Sequence, residues 1–339
     1  MKQLAERNVV TTPLLAQCIS LSRMRPVNIC MESSVYLLLG DLQDSCCLRV
    51  RDELEARNCA VRIVSNPLVH PWRFSWLLNN QESVSQLGLG EEPPVSNDQI
   101  AGVLVRSSGC IDPLDWEPED LAYMQSEASA ALLAWLWSLP CPVVNRYPAA
   151  IWYQPQCPLL YWQPLLQRCG LPIPETVVTN VEHEAQAFGR TAPVGGICGA
   201  VYGPISGAVR YLISSEEEWT GLASLQRVSP VCLAVPHGKT QLVCVVGERV
   251  IWNDEPSPDA QLLAPALRRF AAAAGLAFVE LALAPTDEEM CVVTVEPHPQ
   301  LEHFSPASRQ EMVEEIVSLL TTEASDHECI PQIPQRRLL

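Results

Sequence analysis

A chain of 339 residues holds two or three domains at roughly 100–200 residues each, and 48% hydrophobic against 18% charged residues excludes a disordered chain or a coiled coil. With 22 basic and 39 acidic residues the net charge is −17, which argues against nucleic acid, whose phosphates are gripped by clustered Lys and Arg. Only Lys2 and Lys239 are lysines, so chemistry that needs two buried lysines is nearly ruled out.

The 14 cysteines are scattered singly apart from Cys46-Cys47, with no C-x-x-C, and read as small buried hydrophobes in a reducing cytoplasm. No basic segment leads into a long apolar run at the N-terminus, and no apolar run approaches the roughly 18 residues of a membrane span. A cytoplasmic chain without a membrane partner is expected.

Residues 1–33 carry weak periodicity and read as an extension; the first strand is Val35–Leu39. Gly40-Asp41 then leads to an amphipathic helix over 42–57 and a second apolar run at Ala60–Val64, a β-α-β unit that implies a parallel sheet. Residues 65–99, with Pro67, Pro71, Pro93 and Pro94, read as irregular until Ile100–Arg106 supplies another buried strand. Residues 113–118 form a turn. Pro118, Glu119 and Asp120 open a helix that runs to about Ser138, where Pro140 and Pro142 forbid continuation. Tyr123 and Glu127, four apart, share one face of it.

Proline is common from 148 to 174. Beyond it come a strand at Thr176–Thr179, a polar helix over about 182–189, and strands near 200–202 and 209–213. Strands at 231–235, Gln241–Val246 and Arg249–Trp252 follow, the last two joined by a Gly247-Glu248 turn. A helix over 262–275 ends at its glycine; strands at 277–283 and Met290–Glu296 flank the turn PTDEE; a helix over 310–320 and a Pro- and charge-containing tail close the chain.

Several constellations bear on chemistry. His298, Glu302 and His303 lie on a Pro-flanked loop without helical register and read as surface residues. Trp135, Trp137, Trp152 and Trp162, with Tyr123, Tyr153 and Tyr161, suit either core packing or a peptide groove, and core packing is favoured. Ser107-Ser108-Gly109-Cys110 follows a strand end, where open α/β sheets bind ligands, but no base adjoins the cysteine.

Five segments in order carry a family resemblance: Asn145-Arg146-Tyr147-Pro148; Leu165–Gly170 running on into Leu171–Asn180 (LPIPETVVTN); Val201–Gly207; Val245–Val250; and Val295–Pro299. Together they resemble the ATP-grasp superfamily over about residues 34–322, and are similar to the ligases and ligase-like proteins of modified-peptide pathways. The resemblance implies an α/β (α+β) fold: an open parallel sheet at 34–118, a linking helix and Pro-rich junction at 119–180, and ATP-grasp-like lobes of mainly antiparallel sheet at 181–322, with an extension at 1–33 and a tail at 323–339.

It also implies ATP-dependent activation of a carboxylate as an acyl phosphate, which needs cations about the phosphates. Here Leu159 and Gly203 stand where lysines are expected, and Gln241 or Leu242 stands for an arginine. Arg210, Lys239 and Arg249 are the remaining candidates for phosphate contact. For metal, the resemblance points to Glu280 and Glu296, with Thr294 where a further Glu is expected. The sequence therefore reads first as a degenerate ATP-grasp subunit, needing no cofactor of its own, that binds a peptide or partner enzyme through residues such as Tyr123, Glu127, Asn145 and Arg146. The second reading is a working carboxylate-amine ligase that uses ATP and Mg2+; a structural protein without ligand is the third. Homo- or hetero-oligomers suit any of them.

Overall fold

The computed structural model describes residues 34–68, 71–79, 83–89, 93–107, 117–153, 157, 159–191, 197–203, 207–213, 215–227, 230–234, 240–286 and 289–322. β1 (Val35–Leu39), α1 (Ser45–Ala56) and β2 (Ala60–Val64) form the expected parallel unit. Asp44 caps α1, its Oδ1 accepting the Cys47 N–H at 2.8 Å, which explains a start at residue 45 rather than 42.

The stretch expected to be irregular instead holds an antiparallel sheet of β3 (Trp72–Leu78), β4 (Ser83–Leu89) and β5 (Val95–Ser96). Its prolines bound the strands without interrupting them. The signal is period two: Trp72, Phe74 and Trp76 are half-buried, while Arg73, Ser75 and Leu77 between them are exposed. Phe74 meets Trp135 edge-on at 5.4 Å, and the Trp135 indole N–H donates to Ser85 Oγ at 2.9 Å.

β6 (Ile100–Val105) pairs with β1, α2 (Pro118–Ser138) follows as expected, and β7 (Val143–Val144) completes a parallel sheet ordered β2-β1-β6-β7. The Pro-rich junction is partly helical: α3 (Ala149–Tyr153) and α4 (Leu159–Arg168) are held by the burial of Trp152, Trp162 and Leu166, and α4 accommodates Pro164. β8 (Thr176–Thr179), α5 (Glu182–Thr191), β9 (Ile197–Gly203), β10 (Gly207–Ile213), α6 (Glu216–Gln226) and β11 (Val231–Ala234) build an antiparallel lobe ordered β10-β9-β11-β8. No element is expected from sequence where α6 lies.

β12 (Gln241–Val246) and β13 (Arg249–Trp252) form the expected hairpin. The helix expected at 262–275 is two helices, α7 (Pro258–Leu262) and α8 (Ala264–Ala274), each with a proline in its first turn; Gly275 ends α8 at φ +69°. β14 (Phe278–Pro285), β15 (Met290–Glu296), a 3-10 turn at Leu301–His303 and α9 (Pro306–Thr321) follow, giving a sheet ordered β13-β12-β14-β15.

Alternation along the strands divides the interior. Leu37, Val103, Val243, Val245 and Leu281 belong to one apolar cluster with α2, α3, α4 and α8; Leu38, Leu104, Cys244, Val246 and Phe278 belong to a second with α1 and α9. The first and last sheets thus share both clusters. Among its described residues the antiparallel lobe has a small cluster of its own around Leu222, Val231 and Leu233.

Candidate functional site

The seam between the first and last sheets gathers most of the buried polar chemistry. Asn145, directly after β7, is buried, and its amide behaves as a substitute peptide group: Nδ2 donates to the Phe278 carbonyl at 2.6 Å and Oδ1 accepts the Phe278 N–H at 2.7 Å. It thereby ties β7 to the start of β14. Nδ2 also lies 3.2 Å from the Tyr147 hydroxyl, which donates to the Pro297 carbonyl at 3.0 Å and meets His298 Nδ1 at 3.1 Å. Burial pushes the Tyr147 phenol up to about 12. Burial, with Arg106 adding to it, lowers His298 to about 4, so the ring is neutral at ordinary pH. His298 is therefore not the surface histidine expected, because its ring packs on Tyr147 at 4.7 Å.

β14 and β15 place Glu280 directly opposite Glu296 in register. Glu280 is 5% exposed; its Oε1 contacts His303 Nδ1 at 2.9 Å and its Oε2 accepts the Gln300 N–H at 3.0 Å. Glu296 Oε1 accepts the His298 N–H at 2.9 Å. Thr294 pairs with Ala282. Among the described residues, no group of three or more His, Cys, Asp and Glu side chains could hold a metal ion. Two facing carboxylates suit one Mg2+ shared with phosphate oxygens, not an all-protein cage.

The other candidate residues do not converge there. Arg249 lies at the hairpin end of β13 and pairs with Glu311 of α9 at 2.5 Å on an exposed surface, a contact worth little. Arg210 lies on β10 opposite Ala200, with its side chain outside what is described; Lys239 lies outside the described residues, as do 108–110 of the Ser107–Cys110 motif. Leu159 opens α4 and packs, partly buried, on the larger apolar cluster, while Gly203 pairs with Gly207 across the β9–β10 hairpin. Tyr123, 64% exposed, and Glu127 stand on the outer face of α2. Arg146 is turned to the end of that helix, donating to the carbonyls of Trp137, Leu139 and Cys141 at 3.1–3.2 Å with its guanidinium 5.6 Å from the Trp137 ring centre. As for the tryptophans, Trp135, Trp152 and Trp162 are core, whereas Trp137, Tyr153 and Tyr161 are exposed.

Sequence reasoning missed Arg106 and Asp44. Arg106 follows β6, its side chain is 3% exposed, and its NH2 contacts Asp44 Oδ2 at 3.3 Å. The one signal available was a charge closing the apolar run IAGVLVR.

No family model matches the chain, and no curated protein matches it. Solved structures do. The macrocyclase MdnC bound with precursor peptide MdnA, from Microcystis aeruginosa MRC, superposes with a TM-score of 0.64 at 17% identity, over 85% of this chain and 99% of that one. A Chryseobacterium gregarium RiPP-associated ATP-grasp ligase in complex with ADP and a leader and core peptide gives 0.63 at 14% identity, over 85% and 96%. A RimK-domain ATP-grasp protein from Sphaerobacter thermophilus DSM 20745 gives 0.51 at 16%, over 85% and 99%. With its parallel first sheet, its antiparallel lobes and these superpositions across most of its length, the chain has the fold of the ATP-grasp superfamily.

Proposed function

We propose that this chain is an ATP-grasp-fold subunit that binds a peptide or a partner enzyme and has lost its own phosphoryl chemistry. The observation that carries the reading is the lysine count: two in 339 residues and none from residue 3 to 238, with Leu159 and Gly203 at the positions where the resemblance expects them. Phosphoryl transfer is catalysed largely by positioning and fixed positive charge, so a cleft without those cations lacks the means to stabilise the transferring group. The peptide part draws support from the neighbours, of which MdnC is bound with a precursor peptide and the Chryseobacterium ligase with leader and core peptide. Tyr123 and Glu127, exposed together on α2, are the proposed contact. Among the described residues nine cysteines form no disulfide, and eight of them are buried, which suits a reducing cytoplasm.

A second reading has one observation in its favour: Glu280 and Glu296 face each other in register, as ligands of a single Mg2+ would. On that reading the chain is a ligase forming a C–N bond, with ATP and Mg2+ as cofactors and with Arg210, Lys239 and Arg249 supplying positive charge.

Thermal unfolding in millimolar Mg-ATP separates the two. A ligand at a hundred times its Kd stabilises by about 2.7 kcal/mol, a rise of a few degrees for a chain of this size. No rise is expected; a clear, saturable rise overturns the subunit reading in favour of the ligase.

A further inference from the structure

Helix α2 is apolar on two opposite sides. Its buried residues, Ser129, Leu132, Trp135 and Leu136, lie on one face and all in its second half. At about 100° per residue the opposite face carries Tyr123, Glu127, Ala130, Ala134 and Trp137, every one of them exposed, with Tyr123 at 64% and Trp137 at 42%. Spacings of four, three, four and three are those of a coiled-coil seam. No charged residue stands between Glu127 and Arg146, so the second half of α2 lacks the polar outer face that a surface helix turns to water. A helix stretch that is apolar all round is normally covered all round.

The charges at the two ends of this face are opposite and unbalanced. Asp120 and Glu127 stand one turn to either side of Tyr123, both exposed, and neither meets a basic residue among the described residues. Arg146 lies over the Trp137 ring at 5.6 Å, and its hydrogen bonds go to the carbonyls of Trp137, Leu139 and Cys141; no carboxylate among the described residues balances it. Ala130 is the centre of the pattern, with Tyr123 seven residues before it and Trp137 seven after. A second helix turned end for end about Ala130 therefore sets Tyr123, flanked by two carboxylates, on the Trp137 that carries Arg146, and does so twice, as a two-fold interface requires. Between these aromatic anchors the small side chains of Ala130 and Ala134 let the two backbones approach closely. A lipid surface fits poorly, since acids and no lysine flank the face.

We propose that the outer face of α2 is a dimer interface, on which α2 of a second copy of this chain packs antiparallel about a two-fold axis at Ala130. Tyr123 and Glu127 are the contact proposed above for a peptide or partner enzyme, so this step rests on that contact being a protein one, and it names the chain seated there. The two readings fail separately: unfolding in Mg-ATP reports on the nucleotide chemistry and not on the pairing, and the mass of the particle reports on the pairing and not on the nucleotide chemistry.

The experiment follows the mass of the full chain by light scattering and sedimentation from about 1 to 100 μM, the range in which an interface of modest size associates. The mass should rise with concentration from the 37.4 kDa of one chain toward twice that value. Added salt should shift the rise to higher concentration, because opposite charges meet at both ends of the pair. Ala130→Glu, which an exposed helix position accepts, sets two like charges on the axis and should hold the chain monomeric throughout. Register is read by crosslinking under mild oxidation, with the parent as background. Ala130→Cys should link to its own counterpart on the axis, whereas Tyr123→Cys, though well exposed, should not, because its two copies lie about 20 Å apart in an antiparallel pair. If Ala130→Glu does not fold, the two cysteine variants decide. The proposal is overturned if the mass stays at one chain across the range, if Ala130→Glu associates as the parent does, if Ala130→Cys fails to link, or if Tyr123→Cys links as readily.

Discussion

Asn145 and His298 show how much of the seam rests on single side chains. The Asn145 amide satisfies both the N–H and the carbonyl of Phe278. Asn145→Ala would leave two buried backbone groups unpaired, at a cost of roughly 2–4 kcal/mol in urea unfolding; a loss below about 1 kcal/mol would mean that water replaces the amide readily. For His298 the direction follows from linkage. Its folded value is lowered to about 4 from an unfolded value of about 6.5, so on acidification the unfolded chain takes up the proton first. Stability due to neutral His298 is complete above about pH 6.5 and is lost as the pH falls toward 4, on the order of 3 kcal/mol across the window. His298→Gln should therefore give a flatter stability curve than the parent between pH 6.5 and 4. Parallel curves would place the proton elsewhere.

At the scale of elements, α9 joins the first and last sheets. Met312, Val313, Ile316, Val317 and Leu320 are buried in the cluster that holds Leu38 and Leu104 from the first sheet and Val246 and Phe278 from the last. Ile316→Ala, at a fully buried position, should cost about 2–5 kcal/mol in urea unfolding with the slope unchanged. The sequence made β12, β13 and β15 legible to the residue, because apolar runs ended by turn signals need no tertiary help. It hid β3–β5, whose alternation of Trp72, Phe74 and Trp76 is masked by prolines that lie outside the strands. It hid α6 as well. The seam divides in the same way: the strands that set Glu280 opposite Glu296 were readable from apolar runs and turn signals, whereas Arg106 and Asp44 are separated by 62 residues and meet only once the sheet forms.

Among the described residues apolar burial is uneven, and local stability should follow it. Among the residues whose burial is described, the first and last sheets share two large clusters, while the lobe from β8 to β11 shows a small one: Ala185, Ile213, Leu222, Val231 and Leu233, with Val177, Phe188 and Trp219 against it. Strands β8 and β11, packed on that small described cluster, open at a lower free energy than strands buried on both faces. Native-state hydrogen exchange should therefore find the amides of β8 and β11 exchanging well before those of β1, β6, β12 and β14, with α9 grouped with the slow strands because its apolar face lies in their cluster. Equal protection in the lobe and the sheets would show that one cooperative unit spans them. The same measurement in Mg-ATP bears on function: a nucleotide gripped between lobe and sheet would slow exchange at β9–β11, and under the subunit reading the lobe's exchange is unchanged by nucleotide.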